Sequence, residues 1–275
     1  MKSDIKRFLK RGVSLLAAAE LAKLRRIHQL YRGQSCYLFG DGVSLKWFDL
    51  SDFTDRPSVI AGLLPFHNDF KVLNTVMLCL LEPFWFFPGW WTSNITKSSS
   101  MPLIAGHYKR KVINVYQDTD VLLNLSNYPF IRGKNVLFTF NELDDCAFQF
   151  ELSKRGLTCF NGSLNGAVSL AIYMGFSKIY LVGCDYTHGY SRSGHWYEVG
   201  QGAYSDHSGY EEPFLTVARE FCEIYTVSLE SDRSLIPTVT HKQLTGRHPV
   251  YRENTALISR ENLNVLGTWP YYKLS

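Results

Sequence analysis

The feature that most constrains this chain is a set of short, mainly apolar runs set among Gly, Asn and Asp residues: Cys36–Phe39, Ser58–Leu63, Val76–Leu81, Val112–Tyr116, Asn135–Phe140, Ile179–Val182 and Tyr225–Ser228. Apolar runs of this length between turn-rich segments read as strands buried on both faces, the pattern of a covered parallel sheet. Helical patterns at Gly166–Met174 and Phe214–Ile224 fall between some of them. Strand and helix therefore alternate, which predicts an α/β fold: an open, mainly parallel sheet with helices on both faces, Rossmann-like.

Composition narrows the class. The chain has 275 residues, 45% hydrophobic and 20% charged, ordinary for a folded protein and far from disorder. Six cysteines occur with no C-x-x-C pair and no Cys-plus-His ligand spacing, so neither a zinc site nor a disulfide framework is indicated, and a reduced, cytoplasmic setting is expected. No run reaches the roughly 18 to 20 apolar residues that span a bilayer. The stretch Val76–Trp91 comes nearest but holds Glu82, Pro83 and Pro88. It reads as a buried strand followed by an aromatic loop that clamps a sugar, touches lipid or covers the sheet. Ser98–Ser100 then read as a turn.

Charge is uneven. Of the net +4, residues 1–33 carry +7 and the remainder −3. Residues 3–31 place Ile5, Phe8, Leu9, Val13, Leu16, Leu21, Leu24, Ile27 and Leu30 near helical spacing, so 1–33 is read as a basic amphipathic helix and 34–275 as the main domain. Such a segment either lies on an anionic membrane surface through residues 2–32, each basic residue contributing about 1 kcal/mol, or packs on its own domain with its charges in water. The first alternative would put the protein peripherally on the inner membrane face. Confinement of the basic residues to one terminus, without an interleaved stacking platform, argues against a nucleic-acid partner.

Three stretches carry chemistry. "CYLFGDGVSL" ends the first strand in a turn of Gly40, Asp41, Gly42, Val43 and Ser44, at the strand end where open α/β sheets bind ligands. In "FNGSLNGAVSLAIYMG", Asn161, Gly162, Ser163, Asn165 and Gly166 precede a small-residue helix. That arrangement suits a phosphate at a helix N-terminus or plain capping, and the strand that follows ends at Asp185. The polar, glycine-rich stretch Tyr186–Tyr210 holds three histidines and five tyrosines, read as a lid over about 186–210 that brings a general base and phenol donors to a ligand.

Together, the Gly-x-Gly-x-Ser-Leu turn, the Ser before a small-residue helix, "GFSKIYLVGCDY" and His207-Ser208 before "TVAREFCEIYTVSLESDRSLIP" resemble the bacterial sialyltransferases of glycosyltransferase family 42, over about residues 35–237. The first two blocks are also similar to the 6-hydroxymethyl-dihydropterin diphosphokinase-like family. The resemblance implies a nucleotide-sugar-binding glycosyltransferase domain over 34–275. It would move sialic acid or a related acidic sugar from a cytidine monophosphate (CMP)-sugar to a glycan, glycolipid or glycoprotein acceptor, with inversion and without a metal or other cofactor. It places the donor on Gly40, Asp41, Gly42, Ser44, Ser163, Asn165, Gly166 and Asp185, makes His207 the general base, and gives the phosphate to Tyr197 or, second, Tyr190. Asp41 stands where the family commonly has Asn, and the asparagines expected after the second and third strands are replaced near Leu63 and at Glu82. The oligomeric state stays open, a homo-oligomer included.

Other readings compete. Asp118-Thr119-Asp120, after the apolar run "KVINVYQ", mimics the Asp-x-Asp that holds a divalent metal on a strand end. A phosphotransferase of the diphosphokinase type would use the same loops with Mg²⁺ and ATP, although no Gly-x-x-x-x-Gly-Lys loop is present. A non-catalytic, membrane-associated nucleotide-binding scaffold is the third alternative.

Overall fold

The computed structural model describes residues 12, 15–81, 101–128, 130–139, 163–207, 212–229, 236–267 and 273–274. Its strands, in chain order, are β1 (Ser35–Phe39), β2 (Ser58–Ala61), β3 (Thr75–Leu80), β4 (Asp120–Asn124), β5 (Val136–Thr139), β6 (Lys178–Val182), β7 (Tyr190–Ser193), β8 (Ala203–Asp206), β9 (Glu223–Ser228) and β10 (Thr238–Thr240). The chain divides into two units, one of residues 1–32 and 77–175 and the other of 33–76 and 176–275. The expected aromatic loop after Leu81, the Ser98–Ser100 turn, Asn161 and Gly162 lie outside the described residues.

In the second unit, five strands lie in the order β10-β9-β6-β1-β2, every pair parallel. β1 and β2 are buried almost throughout, as their unbroken apolar sequences require of strands covered on both faces. From β1 the order runs to β2 on one side and to β6, β9 and β10 on the other. The boundary between β1 and β6 is thus a topological switch point, and their carboxyl ends open a crevice there.

In the first unit, β3, β4 and β5 pair in parallel, so the α/β, mainly parallel fold holds in both units. Val112–Val115 of the run Val112–Tyr116, expected as a strand, form instead the end of the helix Met101–Val115. Tyr108, Lys109, Val112 and Ile113 are buried, a stripe of helical spacing that a five-residue window cannot tell from a strand. The sequence reading missed β4 here and β10 in the other unit, so Asp120 begins a strand rather than following one. That residue pairs with Arg26, and among the described residues no cluster of three or more metal-ligating side chains occurs.

The N-terminal segment departs from one continuous helix. An α-helical turn, Ala18–Leu21, passes into a 3₁₀ helix, Ala22–Ile27, that packs on β5. Gln29 then takes φ 57°, and the N–H groups of Gln29 and Tyr31 bond to the carbonyls of Tyr173 and Met174. Leu21, Leu24 and Ile27 are buried whereas Leu15, Leu16 and Leu30 are exposed. Among the described residues no helix is long and apolar enough to cross a membrane.

Two further expectations change. The stretch expected as a patternless lid contains the antiparallel hairpin β7–β8, and its tip is pinned by Trp196, which is fully buried. The helix expected over Phe214–Ile224 is Glu212–Ala218, because Glu223 and Ile224 already pair with Lys178 and Ile179 of β6.

Candidate functional site at the strand ends

The turn after β1 is built around close backbone approach. Gly42 donates its N–H to the Gly183 carbonyl at 2.7 Å, and a Cβ on Gly42 would lie 2.5 Å from Asp185 Oδ2 and from the Gly183 oxygen. The glycines at 40 and 42 therefore let the turns after β1 and β6 touch. Asp41 holds the third side: both its carboxylate oxygens accept from the Leu63 N–H at 2.9 Å, and one accepts from the Trp196 indole at 3.2 Å. Gly62, at φ +121°, leaves the space that carboxylate fills. Asp41 thus ties β2 and the hairpin tip to the β1 turn.

Ser44 and Asp185 form the floor. The Ser44 N–H donates to Asp185 Oδ2 at 2.9 Å and its hydroxyl to Oδ1, so with Asp185 ionised the Ser44 oxygen is left as an acceptor. Burial pushes the Asp185 carboxyl above its ordinary value, while the two Ser44 bonds and the nearby His188 and His207 oppose the rise. A buried acid facing two histidines at a strand end is the kind of environment that functional sites use.

Above this floor lies a cavity of about 580 Å³ lined by Ser44, Asp185, His188, Tyr190, Arg192 and Tyr204, together with the carboxyl end of β9. His188 is buried, and a chain of hydroxyls fixes its ring. Thr187 donates to the Cys184 carbonyl at 2.7 Å, so the Thr226 hydroxyl, 2.9 Å away, donates to Thr187. His188 Nε2, 3.1 Å from Thr226 Oγ1, must then carry the proton. Neutral His188 is held as the Nε2–H tautomer.

The anticipated residues distribute unevenly. Ser44, Asp185 and Tyr190 line the cavity, whereas Gly40, Asp41 and Gly42 shape its rim from behind. His207 has its ring edge-on to Tyr186 at 5.0 Å and its Nε2 2.9 Å from Ser205 Oγ; it is not among the described lining residues. Tyr197 is fully buried, stacked on His195 and edge-on to Trp196, and it does not reach the cavity wall, unlike Tyr190. Ser163, Asn165 and Gly166 belong to the first unit, where they form the first turn of the helix Ser163–Tyr173 rather than a loop before it.

Trp47, His188, Arg192 and Tyr204 were not singled out from the sequence. The last three lie within the histidine- and tyrosine-rich stretch. The spacing of Tyr190 and Arg192, two apart on one strand, was the signal that they share a face. Trp47 carried none.

Fold and site together define a parallel α/β unit with a polar, aromatic-walled cavity at its switch point. No protein-family model matches the chain, and no curated protein matches it. Among solved structures it is similar to the sialyltransferase CST-II in complex with a trisaccharide acceptor and CMP, at 14% identity and TM-score 0.43, over 86% of this chain and 99% of that one. A structure of the sialyltransferase CstII from Campylobacter jejuni with a substrate analogue, cytidine-5'-monophosphate, gives 13% identity and TM-score 0.41 over 86% and 98%.

Proposed function

We propose that this protein is an inverting, metal-independent glycosyltransferase that takes sialic acid or a related acidic sugar from a CMP-sugar and delivers it to a glycan, glycolipid or glycoprotein hydroxyl. The observation that carries this reading is the cavity at the β1–β6 switch point, with Ser44, Asp185 and Tyr190 on its wall where the motif resemblance expects donor contacts. CMP departs as a phosphate monoester, a group whose developing charge hydroxyl and N–H donors can stabilise without a divalent ion. Tyr190 supplies the phenol donor in this reading. The pinned Ser44 supplies an acceptor suited to a ribose hydroxyl or a cytosine amine.

The acceptor hydroxyl needs a base. His207 takes that role by its place in the motif, and a positioned histidine contributes typically about 10²- to 10⁴-fold. His188 is the second reading, favoured by its place on the cavity wall. The resident groups hold the proton taken from the acceptor oxygen as it attacks the anomeric carbon and CMP leaves. The N-terminal basic segment keeps the protein near a lipid-linked acceptor in this account.

The test is release of CMP from CMP-sialic acid and from CMP-3-deoxy-octulosonic acid, with and without chelator, by the wild type, His207→Ala and His188→Ala. Chelator-resistant release that one substitution lowers about 100-fold supports the reaction and names the base. Absence of release from both donors with every acceptor class contradicts the reading.

A further inference from the structure

We propose that Arg192 is the anion-recognising residue of this cavity, taking an oxyanion of the donor, its phosphate or the sugar carboxylate, by paired hydrogen bonds. The proposal rests on the reading of the cavity as a donor site. Arg192 is the one Lys or Arg among the described residues lining the cavity. Its guanidinium carbon sits 5.5 Å from the Trp47 ring centroid and 4.3 Å from that of Tyr204, and Tyr190 continues the stack on Tyr204 at 5.4 Å with planes 10° apart. The hairpin register produces this ladder, because Arg192 pairs directly across from Tyr204 and Tyr190 lies two residues along the same face.

Such a stack holds the guanidinium plane while leaving its N–H edge open. A guanidinium has five donors. Among the described residues Arg192 makes one long contact, from Nη1 to the Gly202 carbonyl at 3.4 Å, and no ion pair. Asp185, the one carboxylate among the described residues lining the cavity, is engaged by Ser44. A planar cation held by aromatic rings, not paired with an acid among the described residues and bordering a cavity, matches the geometry by which Arg binds carboxylate or phosphate through two parallel bonds. Its ordering cost is reduced before the ligand arrives, because the rings restrict its rotamers.

The experiment titrates wild type, Arg192→Gln and Arg192→Lys calorimetrically with cytidine, CMP, CMP-sialic acid and inorganic pyrophosphate. Loss of a charge-assisted pair corresponds to about 10- to 100-fold in affinity. If the phosphate is the partner, Arg192→Gln weakens CMP by that factor, leaves cytidine unchanged and Arg192→Lys falls between. If the carboxylate is the partner, CMP is unchanged and CMP-sialic acid weakens. Either pattern supports the proposal, and equal affinity of all three proteins for every ligand overturns it. Wild type that binds no cytidine compound refutes the donor reading instead. The pyrophosphate titrations then decide Arg192 alone: binding lost in Arg192→Gln supports the anion site, and equal or absent binding overturns it. The lysine variant, which keeps the charge, guards against a loss caused by misfolding.

Discussion

Replacing Gly42 by alanine tests the construction of the site most sharply, because the backbone there is ordinary (φ −64°, ψ 153°) and only space is at stake. The added Cβ would stand 2.5 Å from both Asp185 Oδ2 and the Gly183 oxygen, so the two turns must part by about 1 Å to restore normal contact. Overpacking of this kind costs about 1–3 kcal/mol. If Asp185 swings away, the Ser44 bonds it accepts are weakened, at about 1 kcal/mol or more each. A total of about 3–5 kcal/mol lowers the Tm of a chain this size by roughly 6–20 °C. Differential scanning calorimetry of Gly42→Ala beside Gly12→Ala, where nothing lies within 4 Å, reads the effect. The control is expected to melt no lower than wild type. A Gly42→Ala protein that melts with wild type and binds donor equally well would refute the claim that the two strand-end turns are locked together.

Three more outcomes follow from the same geometry. Burial raises the Asp185 carboxyl above 3.8, so its folded form binds protons more readily than its unfolded form. Its contribution to stability is therefore full below that value and lost as pH rises through the raised one. Thermal melts from pH 4 upward should show a shallower fall for Asp185→Asn, and an unchanged slope would count against a buried, raised acid. Burial pushes Glu253 up, but hydrogen bonds from Tyr251, Asn254, Lys46 and Gly200 win and hold it at about 2. Glu253→Ala, which leaves the fully buried Lys46 ammonium with only the Glu198 and Gly200 carbonyls, should destabilise by about 1–3 kcal/mol in urea unfolding at pH 7, and no change would contradict the cluster. Tyr190→Phe should lower donor binding or turnover while leaving the melt unchanged, and Tyr197→Phe should act on the melt instead; a reversed pattern would place the phenol donor at Tyr197.

The parallel strands were readable because covered strands show no alternation, and Cys36–Phe39, Val59–Ala61 and Ile179–Val182 are runs of apolar and aromatic residues. The same lack of alternation made Val112–Val115 ambiguous, and only the burial of Tyr108 and Lys109 one turn earlier reveals its helix. At the candidate site, the glycine spacing has a reason beside the one first assigned: Gly40 and Gly42 admit the neighbouring turn after β6. Arg192 and Trp47 were not legible because they meet only through tertiary packing, 145 positions apart in sequence. Tyr197 looked like the better phenol than Tyr190 because nothing local shows that the hairpin tip turns inward. Its burial depends on Asp41 receiving the Trp196 indole and on Asn254 donating to the Tyr197 carbonyl at 3.0 Å.

The most direct test of the account is where CMP sits. Amide hydrogen exchange with and without CMP should slow in the segments Gly42–Trp47 and Asp185–Tyr204, which wall the cavity, and leave the β10 end of the sheet unaffected. CMP that binds without protecting either segment, or that protects a different face of the protein, would contradict the claim that the switch-point cavity is the donor site.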